Sequence, residues 1–228
     1  WVDSEQVRTI LAQAGLDGWS VHESLPETHD LREELYRYLD NMVGEGKEGA
    51  LILPVDQHFN VKGVGLVAIG YVQKGSVNKH DEVLILPANE RGIVRSLQVM
   101  DDDMDEAAAG DRVGVALRNL REEALHRGCM ITHPESDVLI RHDKSSLKIR
   151  SAPFQKRRLQ VDDVIHAAVD LQFVVGRITH VEGTELGVDW DSPLWVRKEG
   201  DSRILITQLD AMPMRVIGVV EDIEVDII

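Results

Sequence analysis

Apolar residues change their spacing along this chain near residue 46, and the change separates two unlike parts. In the first part Val7, Ile10, Leu11 and Ala14 recur at helical spacing, with Gly15 placed to stop the helix. Leu31, Leu35, Tyr38, Leu39 and Met42 form a second, clearer apolar stripe. Asp30 and Glu33 have the spacing of an N-terminal capping box for that helix. Between the two, Trp19-Ser20-Val21-His22 is a short extended candidate. The order is helix–strand–helix, and a single strand needs sheet partners from elsewhere.

From Gly49 onward the period is two. Leu51 to Val55, Val64 to Val72, Val83 to Leu86, Ile93 to Val99 and Val113 to Leu117 are short β-branched runs separated by Gly, Asn or Asp clusters. His133-Pro134-Glu135-Ser136 interrupts the pattern. A second set follows at Val164 to Leu171, Phe173 to Val181, Leu186 to Val188, Ile204 to Leu209 and Arg215 to Val220. Beyond residue 46 the only helical signal is a weak acidic stretch around 101–109. The pattern predicts a mainly β chain: a short αβα piece over 1–46, then two consecutive antiparallel β-barrels over 47–135 and 136–228.

Composition narrows the function classes. The 228 residues carry 25 Lys and Arg against 40 Asp and Glu, a net charge of −15. That balance opposes coating of the whole surface by nucleic acid, because like charge repels phosphate. The single cysteine, Cys129, excludes an intrachain disulfide and suits a reducing, cytoplasmic setting. No apolar run reaches the ~20 residues of a membrane-spanning helix, so no membrane partner is expected. The chain begins at Trp1 rather than Met, which leaves room for residues upstream.

The middle segment resembles a known module. Leu53-Pro54-Val55-Asp56, Phe59 through Gly70, Gly75-Ser76-Val77 and Asp81 through Ile85 are similar to the first half of domain II of the translational GTPases. Ala109-Gly110-Asp111-Arg112-Val113 onward and Arg127-Gly128-Cys129-Met130-Ile131 are similar to its second half. The group is that of elongation factor Tu, elongation factor one-alpha and the selenocysteine-specific factor. Residues 137–228 resemble domain III at lower resolution, best over Arg203 to Val220, and residues 1–43 fit the end of a G domain by order and position. The resemblance implies two barrels packed as one unit against a GTPase-like domain. The partners it implies are tRNA, the ribosome, or a GTPase domain or other protein.

The family's nucleotide motifs are absent from these residues: there is no Gly-x-x-x-x-Gly-Lys-Ser/Thr, no Asp-x-x-Gly and no Asn-Lys-x-Asp. Where the family has a Ser-Ala turn, this chain has His22-Glu23-Ser24-Leu25-Pro26. No cofactor is expected on this chain, and GTP and Mg²⁺ would enter only with a G domain upstream of Trp1. No nucleophile–base arrangement stands out, so no catalytic residue is assigned. His126, Cys129 and His133 are the one compact Cys/His set, short of a fourth metal ligand. Trp190 and Trp195 flank Pro193 in an apparent strand–turn–strand.

Two regions are candidates for binding. The resemblance places the surface for the aminoacylated tRNA end at Gln98, Val99, Met100 and Asp101, with Gly63 and Gly65 nearby. A basic position of the family is acidic here, inside a run of five acids among residues 101–106, which speaks against tight phosphate binding. The second candidate is Arg141, Lys144, Lys148, Arg150, Lys156, Arg157 and Arg158, opposed within 141–158 by Asp143 alone, a local net charge of +6. It suits RNA, a carboxylate-rich protein face, or a solvated strand edge, and with Phe154 its only aromatic it offers no base-stacking groove. Three functions stay open: a non-hydrolysing elongation-factor-like binding protein, the rear part of a GTP-dependent factor that delivers charged tRNA, and a protein-interaction scaffold.

Overall fold

The computed structural model describes residues 3–13, 16, 18–41, 48–153, 155–199, 202–212 and 214–225. Ala14, Gly15, Met42 and Phe154, named above, lie outside the described residues. The chain divides into two compact units, Trp1–Gly44 and Glu45–Ile228.

The first unit holds two helices, α1 (Ser4–Gln13) and α2 (Thr28–Asn41). The Asp3 carboxylate accepts from the Glu5 N–H at 3.0 Å and so satisfies one orphan donor of α1. α2 starts at Thr28, so Asp30 falls in the first turn rather than outside it as the capping pattern predicts. Its carboxylate there still complements the positive end of the helix. Among the described residues the segment at 19–22 pairs with no strand, the first strand there being Leu53–Val61. No helical residue is buried, and Leu35, Tyr38 and Leu39 of the apolar stripe remain more than half exposed.

Among its described residues the second unit contains fifteen strands. The first nine are β1 (Leu53–Val61), β2 (Gly65–Tyr71), β3 (Ser76–Asn78), β4 (Glu82–Leu86), β5 (Glu90–Val99), β6 (Asp102–Met104), β7 (Glu106–Ala108), β8 (Arg112–Arg118) and β9 (Met130–Thr132). They pair in the order β4-β9-β1-β2-β8-β5, and a β4–β5 ladder closes the barrel. β6 folds back on β5, and β3 pairs with β7 as a separate ribbon. The acidic stretch read as weakly helical is therefore strand. The alternation Asp-Asp-Asp-Met-Asp-Glu has no apolar face for a helix to bury, and a turn at 100–101 carries it back along β5.

The remaining six strands are β10 (Leu139–Ser151), β11 (Val164–Val169), β12 (Gln172–Glu182), β13 (Glu185–Arg197), β14 (Leu205–Thr207) and β15 (Val216–Val225). They close in the order β10-β13-β12-β11-β14-β15. The sequence conceals β10 because its outward positions are charged, while His142, Ser145, Leu147 and Ile149 point inward with a bulge after His142, and Leu139 is buried on the opposite side. Trp190, Pro193 and Trp195 lie on one long strand, not a strand–turn–strand. Pro193 sits where the ladder to β10 shifts register, the kind of place a strand tolerates a missing donor.

Each barrel has its own apolar core, and a third cluster joins them: Ile52, Leu86 and Met130 of the first barrel meet Leu139 of the second, with Val138 and Trp195 packed alongside. Gln172 clamps the Trp195 backbone, donating to its carbonyl at 2.7 Å and accepting from its N–H at 3.0 Å. Gly128 has φ +88°, and a Cβ there would lie 2.7 Å from the Leu171 carbonyl oxygen of the other barrel. Only glycine permits that approach. The Arg197 side chain pairs with Asp170 through two bonds, one of 2.9 Å, and reaches Gln73 of the first barrel at 3.5 Å.

Inside the second barrel, His142 Nδ1 lies 3.1 Å from Ser145 Oγ, which also accepts from Trp190 Nε1 at 2.9 Å. Burial holds the His142 pKa below its ordinary value. Below about pH 6.5 an unfolded histidine takes up a proton that native His142 refuses, so the unfolded state binds more protons there. Stability is therefore complete above that pH and falls as acid is added, down to the depressed native value. Urea midpoints followed by tryptophan fluorescence at about pH 7.5 and about pH 5.5 should drop on acidification, and His142→Gln should shrink the drop.

Candidate functional site

The outward face of the first barrel carries a groove of about 660 Å³. Its floor is made by Gly114 and Ala116 of β8, which sit opposite Gln98 and Ser96 of β5 and Ile69 and Val67 of β2. Small residues at both floor positions leave a trough between taller neighbours. One wall is apolar: Phe59 and Val61 from β1, and Val64 from the turn that joins β1 to β2. The other wall is Gln98, Met100, Asp101 and Asp103 from the β5–β6 hairpin, with Arg112 completing the lining.

Both walls are fixed by local hydrogen bonds. Gly63 and Gly65 have φ of +85° and +103°, and they bend the β1–β2 turn so that Arg95 can donate to the Gly63 carbonyl at 3.1 Å. Across the trough, Gln98 Nε2 donates to Asp103 Oδ1 at 3.0 Å. Val99 opposes Asp102, so Met100 and Asp101 alone form the hairpin turn, with φ of +53° and +69°. Two consecutive positive φ values define the type I′ turn that suits hairpin twist, and Asn-Gly is its preferred pair. Methionine and aspartate pay a steric cost there, and the Met100 side chain is 84% exposed.

Among the residues predicted from the resemblance, Gln98, Met100 and Asp101 line this groove, while Gly63 and Gly65 shape its opposite wall. Val99 is partly buried against the barrel core. Phe59, Val61, Val64, Gly114, Ala116 and Arg112 were not foreseen. Their signal in the sequence was an apolar residue at both phases of an alternating strand, as in Val64-Gly65-Leu66-Val67-Ala68-Ile69. An apolar group fits over the glycine and alanine of the floor, and a cationic or hydrogen-bond-donating head fits beside Asp101 and Asp103. Among its described lining residues no nucleophile stands beside a base.

The basic segment is largely neutralised by acids on its own strand, on neighbouring strands and in nearby turns. Arg141 makes two bonds to Asp143, at 2.8 and 2.9 Å, and Lys144 meets Asp189 at 3.2 Å. Arg150 meets Glu221 at 3.3 Å, and Arg157 lies between Asp163 at 3.7 Å and Asp210 at 3.6 Å. Lys148 stands between Glu185 and Asp222 in the ladders. Lys156 and Arg158 are exposed and make no ion pair among the described residues. Cys129 is fully buried with its pKa pushed up to about 11 by desolvation, His133 faces Asp81 at 3.5 Å, and no metal-binding cluster forms among the described residues.

Comparison with known proteins adds a family to this geometry. The sequence profile of elongation factor Tu domain 2 matches residues 65–132, which include β2, β5, β8 and the hairpin turn. A selenocysteine-specific elongation factor of Methanocaldococcus jannaschii is 32% identical over 184 residues, covering 79% of this chain and 39% of that protein. An uncharacterized protein of the same organism is 28% identical over 174 residues, 76% of this chain and 54% of its own length. The crystal structure of translation elongation factor SelB from Methanococcus maripaludis with the GTP analogue GPPNHP superposes with a TM-score of 0.77 at 25% identity. That match covers 97% of this chain and 55% of SelB. The chain thus spans about half, or less, of the length of these relatives.

If the hairpin turn stores strain for the sake of the groove, relieving it will stabilise the fold. Met100→Asn combined with Asp101→Gly should raise the free energy of unfolding by about 1 kcal/mol, read from urea denaturation.

Proposed function

We propose that this member of the elongation factor Tu group of translation factors works by binding, with the groove of its first barrel as the seat for the aminoacylated end of a tRNA. The groove carries the reading: an apolar trough whose two-residue small floor and rim carboxylates lie within the segment that matches domain 2, its Phe59, Val61 and Val64 wall standing just before that segment. An aminoacyl ester offers both complements, an apolar side chain for the floor and an α-ammonium for Asp101 or Asp103. The nearby phosphates gain little from this surface, so contact is made through the esterified amino acid more than through the backbone. The setting we propose is the cytoplasm, at the ribosome, which a reduced, buried Cys129 suits.

Within residues 1–228 we assign no nucleotide hydrolysis, because the phosphate loop and guanine motifs are absent from the sequence. The second reading is the rear part of a GTP-dependent factor. It is favoured by the match to 55% of a SelB solved with a GTP analogue. A reading frame upstream of Trp1 that encodes a phosphate loop and Asn-Lys-x-Asp would establish that second reading.

Two measurements test the proposal. Spontaneous hydrolysis of an aminoacyl-tRNA ester should slow when the chain is added in excess, and Gly114→Leu should abolish the protection. The nearest atom to a Cβ at Gly114 is 3.9 Å away, so the larger residue fills the trough without disturbing the barrel. Absence of protection by the unaltered chain, or equal protection by the variant, refutes the groove assignment. Titration of residues 1–228 with a fluorescent guanine nucleotide should give no saturable signal, and saturation would refute the non-hydrolysing reading.

A further inference from the structure

The second barrel has two unlike outer faces. Over β10 and β13 the outward positions are polar, and their cations are matched by carboxylates, as at Lys144–Asp189. Over β12, β11, β14 and β15 the outward positions form two cross-strand rows. Phe173, Ala168, Leu205 and Val219 make one row. Val175, His166, Thr207 and Val216 make the next. Six of these eight outward residues are apolar, where an outer sheet face is ordinarily polar. Phe173 is 53% exposed and stacks on His166 with ring centroids 4.8 Å apart.

Two further observations mark this face. His166 and Thr207 are directly opposite in the ladder, and His166 Nδ1 and Thr207 Oγ1 are shut from solvent without a hydrogen-bond partner among the described residues. Such atoms cost free energy until something supplies a partner. The exposed cations of this side also lack a carboxylate partner among the described residues, although Arg177 donates one N–H to the Asp162 carbonyl at 3.1 Å. Arg177 follows in the ladder opposite Val164, Arg203 precedes β14, Arg215 precedes β15, and none makes an ion pair among the described residues. Lys156 and Arg158 stand close by, because Gln155 donates to the Met214 and Val216 carbonyls at 3.1 and 2.7 Å.

We infer that this face of the second barrel docks an acidic amphipathic protein segment, whose apolar stripe covers the two rows and whose carboxylates meet the arginine rim. Charge complementarity selects an acidic partner, and the apolar rows select a protein over RNA. A nucleic acid would need stacking rings and would leave the rows uncovered, and among the described residues of the two rows Phe173, already stacked, is the aromatic ring besides His166. The surface lies on the other barrel from the aminoacyl groove, so it stands or falls independently of that assignment.

The test uses the whole chain and a fluorescein-labelled helical peptide of about 16 residues with a leucine stripe flanked by glutamates. Anisotropy should show saturable binding. Phe173→Ser and the pair Arg203→Glu with Arg215→Glu should each weaken it by about tenfold or more. The same peptide with lysine in place of glutamate should bind the unaltered chain poorly and the charge-reversed chain better. If Phe173→Ser lowers the urea midpoint, the charge-reversed pair decides, since both arginines are exposed. The inference is overturned if the glutamate peptide fails to saturate, if the two peptides bind alike, or if charge reversal has no effect. It is also overturned if an RNA hairpin binds in place of the peptide and is lost on the same charge reversal.

Discussion

Gly128 brings the backbone of the first barrel against Leu171 of the second so closely that no side chain fits between them. Around that contact Ile52, Leu86, Met130 and Leu139 form a dry seam. Burying each such side chain is worth roughly 1.5–3 kcal/mol, and none of that is recovered if the barrels part. A polar link also crosses the seam, from Arg197 to Gln73 at 3.5 Å, while within the second barrel Asp170 holds the Arg197 side chain and Gln172 grips the Trp195 backbone beside the seam. The two barrels lie in one compact unit, Glu45–Ile228.

With the interior accounted for by ordinary alternation, departures from alternation become informative. In the first barrel the outward phase turns apolar along β1 and β2 and shrinks to glycine and alanine on β8, and a groove results. In the second it turns apolar along four adjacent strands without shrinking, and a flat face results. The difference follows from residue size alone. A trough suits a small terminal group that can be surrounded, whereas a flat face suits an extended partner. Strain sits beside the trough, at Met100 and Asp101, and unpaired buried polar atoms sit within the flat face, at His166 and Thr207. The departures from ordinary geometry thus coincide with the two surfaces for which binding is proposed.

Much of this was legible in the sequence. Period-two runs such as Val113 to Leu117 located the strands because their inward residues are all β-branched or leucine. The glycine blocks located the corners of the first barrel. β10 escaped because Arg141, Lys144, Lys148 and Arg150 read as a charge cluster, and only the ladders reveal that alternate residues point inward. The 101–106 run escaped because a hairpin turn of Met-Asp carries none of the usual glycine or asparagine signal. The groove was half legible: its hairpin wall followed from the resemblance, but its floor and apolar wall depend on which strands become neighbours, and sequence spacing is silent on that. The short extended piece at 19–22 has the composition of a strand but no described partner, so local preference alone did not make it one.

Charge shows most clearly why pairing has to be known before function is argued. The +6 of residues 141–158 is a property of a linear stretch, whereas a phosphate would meet a surface. On that surface Asp143, Asp189, Glu221, Asp163 and Asp210 stand beside the cations, and exposed pairs of this kind cancel each other's field beyond about 10 Å at moderate salt. What survives cancellation lies elsewhere: carboxylates at the rim of the groove, and arginines around the apolar face. Both survivors border apolar ground. The recognition proposed for both surfaces therefore rests on shape and burial, with a few uncancelled charges to orient what is buried, and the net −15 describes the background against which those charges act.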